Sequence, residues 1–389
     1  MTEAQLILTV QDLVRGLDEG KQIDVILLDF RKTFDKVSYK KLLAKLEYYG
    51  IEGPCLGWVA DFLRNRTQTV VLNGMESDCV GVISGVPQGT VLGPLLFLVY
   101  INDLPDCVNS TPRLFADDSA LYRVIDSADD AKSLQEDLDR LQLWEAKWSM
   151  EFNPDKCEVL RVTNKRPVNV VNTTYYIHGQ PLNRADVVKY LGVKIHQKLQ
   201  WKHHVDMVTK RANSTRAFIQ RNTRGFPVPV KNRCYTTYVR PALEFVGSVW
   251  DPTGTLNKGL RGKLEAVQNR CARSVTGDWN RRNSVSRLVA GLQWQTLEKR
   301  RAQMRLTMLY KIHKGIVDIS KELFLRPSEH HDTRGAHLKY ELPRSRLYVY
   351  QNSFFPAAIA LWNHTDADIT AAATLEVFRA SLAAGHVAQ

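Results

Sequence analysis

The sequence predicts an α+β fold, with antiparallel strands backed by helices in the first half and a mostly helical, basic second half. Three observations predict it. Up to about residue 200, short aliphatic runs alternate with segments of helical period. Beyond that point helical spacing dominates. Charge divides along the same line: residues 1–200 carry 23 basic and 27 acidic side chains, and residues 201–389 carry 30 and 14. An acidic half joined to a basic half suggests a carboxylate-bearing site beside a surface for polyanions. A basic solvated face without a ligand is the plainer alternative.

The elements follow in order. Leu6, Leu8, Val10, Leu13 and Val14 recur at mainly helical spacing, with Gly16 and Gly20 closing the segment. Asp24-Val-Ile-Leu-Leu-Asp29-Phe30 reads as a buried strand with a carboxylate at its C-terminal end. Tyr39, Leu42, Leu43 and Leu46 then outline a helix that stops at Gly50. Residues 69–83 predict a hairpin turning at Asn73-Gly74. The loop Ser84-Gly85-Val86-Pro87-Gln88-Gly89-Thr90 opens into an apolar helix around Leu92–Leu104. Leu114 to Tyr122 is a second hairpin signal, with Asp117 and Asp118 at the bend. Residues 127–150 form an amphipathic helix with Leu134, Leu138, Leu141 and Trp144 on one face. Lys189–Ile195 predicts a further strand, after which Val205–Thr223 and Leu256–Thr276 read as basic helices. Residues 325–355, richer in His, Pro and aromatics, give no clear element.

A length of 389 residues predicts two or three domains. With 44% hydrophobic and 24% charged residues, the composition is globular and excludes a disordered or fibrous chain. The six cysteines contain no C-x-x-C pair, which excludes a zinc knuckle or ribbon and points to a reducing compartment. The N-terminus has no basic n-region and carries Glu3 and Asp12 in its apolar stretch, unlike a signal peptide. The longest apolar run, Val91 to Ile101, is about half a membrane span. An intracellular protein, nuclear or cytoplasmic and without a membrane partner, is expected.

Two places put carboxylates where a core-forming chain avoids them. Asp29 ends an apolar strand, and Asp117-Asp118 sit between the apolar arms of a hairpin. Desolvated, adjacent like charges are costly, and a bound divalent cation relieves both penalties. Taken singly, Asp29 reads as a cap for the following helix, and paired Asp at a turn is common. Their order and flanks add the information.

Leu28-Asp29-Phe30-x-Lys32-x-Phe34-Asp35, Gly85-Val86-Pro87-Gln88-Gly89-x-x-x-Gly93-Pro94 and Phe115-Ala116-Asp117-Asp118 resemble motifs A, B and C of reverse transcriptases. The resemblance is closest to the polymerase of non-LTR (LINE-type, jockey- or CR1-like) retrotransposons. Trp148-Ser149-x-x-x-Asn153-x-x-Lys156-Cys157 is similar to motif D, and Tyr190-Leu191-Gly192-Val193 to motif E. Val239-Arg240-Pro241-Ala242-Leu243-Glu244-Phe245, followed by Trp250-Asp251-Pro252, is similar to the region after the polymerase domain in the same elements.

The resemblance implies a polymerase palm followed by a basic, helical thumb. It implies an RNA-directed DNA polymerase that extends a DNA primer on an RNA template from deoxynucleoside triphosphates, using two Mg2+ ions. Asp29 and Asp117 would be the main metal ligands, assisted by the carbonyl of Phe30, with Asp118 near the primer end. Phe34 matches a steric gate against the ribose 2′-hydroxyl, a ring that discriminates by clash; an ordinary core Phe is the alternative. Gln88 and Gly89 would line the nucleotide and template pocket, and Lys156 would be a general acid for pyrophosphate.

Other residues attract blander readings. His203 and His204 read as members of a helix, as do His330, His331 and His337 with less support. Lys210, Arg211, Arg216, Arg221 and Arg224, with a second cluster of Arg270, Arg273, Arg281 and Arg282, fit sequence-independent phosphate contacts. Trp250, Trp279 and Trp294 read mainly as core.

Some 28 residues precede Asp29, where the family carries a fingers segment and often an endonuclease. A chain truncated at its N-terminus is therefore expected, with a catalytically inactive nucleic-acid-binding remnant as the alternative function. The domain expectation is 1–199 for the reverse transcriptase domain, 200–300 for a thumb-like helical region and 301–389 for a C-terminal region of unknown role. Nothing in the sequence sets the oligomeric state.

Overall fold

A computed structural model describes residues 2–280, 282–328 and 339–385. Arg281, His330, His331 and His337 lie outside the described residues. The chain mixes helix and strand, and its contacts divide it into two compact units. One comprises residues 21–188. The other joins residues 1–20 to residues 189–389. The opening helix packs with elements of the second half of the chain.

In the unit of residues 21–188, five strands form one sheet: β1 (Gln22–Leu28), β2 (Thr111–Phe115), β3 (Asp118–Val124), β4 (Glu158–Thr163) and β5 (Asn183–Arg184). Their order is β5-β4-β1-β3-β2. β1 is central and antiparallel to both neighbours, with Val25 opposite Tyr122 on one side and Leu160 on the other. A strand flanked on both sides needs apolar residues on both faces, which is why β1 reads as a continuous aliphatic run.

Its one deep charge is neutralised internally. Asp24 is fully buried and accepts two hydrogen bonds of 2.9 Å from the equally buried Arg161 guanidinium. The Tyr175 hydroxyl adds a third at 2.9 Å, and burial beside Asp24 pushes that phenol's pKa up.

Ile26, Leu28 and Leu121 face a core shared with Leu96 and Phe97 of the helix Leu92–Ile101 and with Leu134, Leu138, Leu141 and Trp144 of the helix Ala128–Trp148. Ser127 caps the latter helix in a reciprocal box with Asp130, as Ser-x-x-Asp permits. The Lys45 ammonium is buried 3.6 Å from the Trp148 ring centroid and 2.6 Å from Asp103, tying the helix Tyr39–Tyr48 to this core. The hairpin at Asn73-Gly74 is present, with both residues at positive φ as a type I′ turn requires.

In the other unit, the helix Thr2–Asp18 buries Leu6, Ile7, Val10, Leu13, Val14 and Leu17 against Gly247–Trp250, Tyr348–Gln351 and Phe354–Asn363. The helix runs through Gly16 and stops at Gly20, whose φ of 76° ends the segment. The Asp18 carboxylate accepts from the backbone N–H groups of Arg346 and Leu347 at 2.9 and 2.6 Å. The segment Lys189–Ile195 differs from the single strand expected. It turns back on itself between Val187–Tyr190 and Val193–His196, because Leu191 and Gly192 adopt positive φ. Long helices follow at Lys202–Asn222, Lys258–Thr276 and Leu297–His313. Among the described residues, no helix is long and apolar enough to cross a membrane.

Candidate active site

The strand register assembles the acids. The last pair of β1 and β3 is Leu28 with Ser119, so continuing that register by one residue sets Asp29 opposite Asp118. By strand alternation both take the face opposite the helix-packed Ile26, Leu28 and Leu121. Asp117 lies in the two-residue loop between Phe115 and Asp118. Ala116 has a φ of 52° while Asp117 does not share it, the φ pattern of a type II′ turn, which normally prefers glycine at its first central position. Holding alanine there costs about 1 kcal/mol or more. Asp29 does not cap a helix, since the next one begins at Tyr39.

The chain after Asp29 leans on the segment that follows the helix Ala128–Trp148. The Asp29 carbonyl accepts from Asn153 N–H at 2.7 Å, Arg31 N–H donates to the Glu151 carbonyl at 2.7 Å, and Phe30 bridges Phe152. Phe30 itself is core: its ring stacks on Phe152 at 4.4 Å. A tight turn, with Lys156 and Cys157 N–H both donating to the Asn153 carbonyl, then returns Lys156 to Asp29. The Lys156 ammonium lies 3.4 Å from Asp29 Oδ2. That oxygen is closed off from solvent and accepts no hydrogen bond among the described residues. The neighbouring Cys157 thiol is pushed up to about 11, chiefly by burial, and is no nucleophile at neutral pH.

A second cluster surrounds the turn at residues 31–37. Phe34 is half-buried, its ring 5.0 Å from Phe97. The loop bearing Gln88 and Gly89 docks on this turn: Val86 N–H donates to the Phe34 carbonyl and Gly85 N–H to the Val37 carbonyl, both at 2.8 Å. Gln88 is exposed and reaches Asp35 Oδ1 at 3.3 Å. Gly89, at φ 77°, faces open space, so its backbone conformation rather than a protein neighbour calls for glycine. Gly85 is more constrained. A Cβ there would stand 2.7 Å from Asp35 Cα and 2.8 Å from the Phe34 carbonyl oxygen.

Sequence reasoning missed Arg66, which donates to the Gly85 carbonyl at 2.6 Å and to the Tyr39 hydroxyl at 2.5 Å. It also missed Glu151, paired with Lys36 and, at 2.9 Å, with Arg31, whose cations hold its carboxyl below the usual range. Neither carries a motif of its own, and both act across long sequence separations.

Asp29, Asp117 and Asp118 offer hard oxygen donors, and Asp29 Oδ2, which faces the Lys156 ammonium but accepts no hydrogen bond among the described residues, is an atom a hard cation could complete. Asp117 and Asp118 are exposed. Among the described residues, no three His, Cys, Asp or Glu side chains are already gathered closely enough to cage an ion. The donor set fits a hard divalent cation as an open face of a sheet rather than a closed pocket.

The histidines are structural where described. His203 is exposed, whereas His204 is buried edge-on to Trp250, and burial lowers its pKa to about 4. Trp250 is core, Trp294 stacks on Tyr235 at 3.9 Å, and Trp279 is exposed, contrary to the core reading. Of the basic clusters, Lys210, Arg211, Arg221, Arg224, Arg270 and Arg282 are exposed. Arg216 is instead half-buried and bonded to Gln220, and Arg273 donates to three backbone carbonyls.

Residues 7–195 match the reverse transcriptase (RNA-dependent DNA polymerase) family, and this segment is a reverse transcriptase domain. It is homologous to the RNA-directed DNA polymerases of non-LTR retrotransposons. The chain is 28% identical over 294 residues to a probable RNA-directed DNA polymerase from transposon X-element of Drosophila melanogaster, covering 73% of this chain and 32% of that protein. It is likewise 28% identical over 291 residues to the RNA-directed DNA polymerase from mobile element jockey of the same organism, covering 71% and 31%. The chain thus spans about a third of the length of these curated relatives. Among solved structures, telomerase from Candida albicans with a fragment of telomeric RNA aligns over 75% of this chain and 55% of its own. The identity there is 12% and the TM-score 0.38.

Proposed function

We propose that this chain polymerises DNA on an RNA template, extending a DNA primer from deoxynucleoside triphosphates as part of a non-LTR retrotransposon protein. The register that sets Asp29 opposite Asp118, with Asp117 in the adjoining turn, carries the reading. In this reading the sheet of residues 21–188 is the palm, residues 1–199 act as the polymerase domain, residues 200–300 as the thumb and residues 301–389 as an accessory region.

Asp29 and Asp117, with the Phe30 carbonyl, would hold two Mg2+ ions, and Asp118 would lie by the primer end. Bound there, the ions would lower the pKa of the primer 3′-hydroxyl and neutralise charge on the leaving pyrophosphate. The chain's own groups do the rest. Lys156, paired with Asp29 at 3.4 Å, would give a proton to the departing pyrophosphate. Phe34 rests on Phe97, which stiffens a ring that rejects a 2′-hydroxyl by clash. Gln88 and Gly89 stand at the exposed lip of a loop that Gly85 and Arg66 fasten to the turn after Asp29.

The test is incorporation of labelled deoxynucleotide by the full chain with Mg2+ and a primed RNA template. Wild type is expected to incorporate, and Asp117→Asn to lose activity by at least about a thousandfold. Wild-type incorporation no greater than that of the variant would reduce the chain to a nucleic-acid-binding remnant.

A further inference from the structure

The helix Leu297–His313 presents two faces of different chemistry, and neither takes part in the polymerase site. On the inner face Arg301 and Arg305 are buried and share one carboxylate: Arg301 Nε lies 2.7 Å from Asp251 Oδ1, and Arg305 Nη2 lies 3.1 Å from Asp251 Oδ2. Two guanidiniums thus meet one acid directly, and the Glu265 carboxylate lies within electrostatic reach of Arg301. Both terminal nitrogens of Arg301 and the Nε of Arg305 are buried without an acceptor among the described residues.

On the outer face, a cavity of about 360 Å³ is walled by Arg300, Gln303, Thr307 and Lys311 of this helix, by Arg379 of the helix Leu375–Ala384 and by Glu3. The walls are fixed. Gln303 donates to the Leu382 carbonyl at 3.0 Å, and Tyr310 stacks on Phe378 at 4.3 Å while its hydroxyl donates to the Ala372 carbonyl. The Arg300 guanidinium is already committed, gripping both oxygens of Glu244, whereas Glu3 accepts from the Ser248 hydroxyl and keeps its negative charge. Lys311 and Arg379 have no carboxylate partner among the described residues. Lys311 and Arg379, beside the Thr307 hydroxyl, outnumber the one unpaired carboxylate of the wall, Glu3, and leave room for a further anion.

We infer that this cavity binds a backbone phosphate of a nucleic-acid strand, through Lys311 and Arg379 with Thr307 as an additional hydrogen-bonding group. The choice of nucleic acid rests on the polymerase reading and on the excess of basic residues in 201–389. It gives the region 301–389 a task, which is to hold the strand outside the site of chemistry.

The experiment measures binding of the full chain to a fluorescein-labelled single-stranded RNA across a salt series. Lys311→Ala/Arg379→Ala is expected to bind about tenfold more weakly at about 0.1 M salt. The slope of log affinity against log salt should fall by roughly 0.7 to 1.4, one or two phosphates' worth. Arg379 is exposed, so Arg379→Glu keeps the fold and should weaken binding by itself. Unchanged affinity and slope in variants with an unchanged unfolding midpoint would overturn the assignment. Inorganic phosphate, the other source of the same chemistry, should not displace the RNA at matched ionic strength; displacement would also overturn it. Primer extension separates the two readings. Extension by wild type with unaltered RNA affinity in the variants removes the pocket alone, whereas weakened RNA binding without wild-type extension keeps the pocket and removes the polymerase.

Discussion

Lys156 sets its ammonium 3.4 Å from Asp29 Oδ2, across 127 residues of chain. Both side chains are substantially exposed, so water screens the pair and its share of folding stability is small. In the proposed function its worth is positional, since it sets an ammonium beside the acid that follows β1. Lys156→Gln should therefore leave urea unfolding within about 0.5 kcal/mol of wild type. Nucleotide incorporation should fall by about a hundredfold. Full activity in that variant would remove Lys156 from the site.

Phe34 is expected to govern sugar selection. Phe34→Ala should raise the ratio of ribonucleotide to deoxynucleotide incorporation by at least about tenfold, since the clash disappears and nothing takes its place. Its half-buried ring also packs on Phe97, so a stability loss of about 2 kcal/mol is expected alongside. Selectivity unchanged in a folded, active variant would leave Phe34 a packing residue.

Gly85 joins the loop of Gln88 to the turn after Asp29, and no Cβ fits there. With a φ of 86° adding strain, Gly85→Ala should destabilise the unit by about 3 kcal/mol in urea unfolding. Gly81→Ala serves as the control, because Gly81 has open space and ordinary φ; it should change stability by less than about 0.5 kcal/mol. Equal effects of the two would refute the close approach.

Asp251 is the carboxylate that both buried arginines contact directly. Asp251→Asn should cost about 3–5 kcal/mol, the penalty for stranding buried charge, as read from chemical unfolding. A loss below about 1 kcal/mol would mean that water already reaches Arg301 and Arg305.

Stability should depend on His204 in acid. Burial lowers its folded pKa to about 4, below the ordinary 6.5, so the folded state resists taking up a proton that the unfolded chain accepts. The contribution is complete above pH 6.5 and drains away as pH falls toward 4, by up to about 3 kcal/mol. The unfolding free energy of wild type minus His204→Gln should therefore shrink over that window. A difference constant from pH 7 to pH 4.5 would contradict the burial.

Local patterns made much of the first half legible. The aliphatic run of β1, Asn73-Gly74, and Leu134, Leu138, Leu141 and Trp144 each encode their element within a few residues. Asp29 and Asp117-Asp118 stand out in the sequence because each acid interrupts an apolar run. What stayed hidden depends on partners far away in sequence. Nothing near Asp24 tells that Arg161 neutralises it from 137 residues away. Arg66 reads as a loop cation until Gly85 is seen beside it. The stripe on Thr2–Asp18 announces burial without saying against what.

That last point has a practical side. Because Thr2–Asp18 shares its apolar face with Trp250, Phe354 and their neighbours, the body containing residues 189–389 is discontinuous in the gene. A fragment starting at Lys189 would bare that face and aggregate. Splicing residues 2–20 onto it through a flexible tether should restore a soluble product, so clones of the second half must be drawn from two separate stretches of coding sequence.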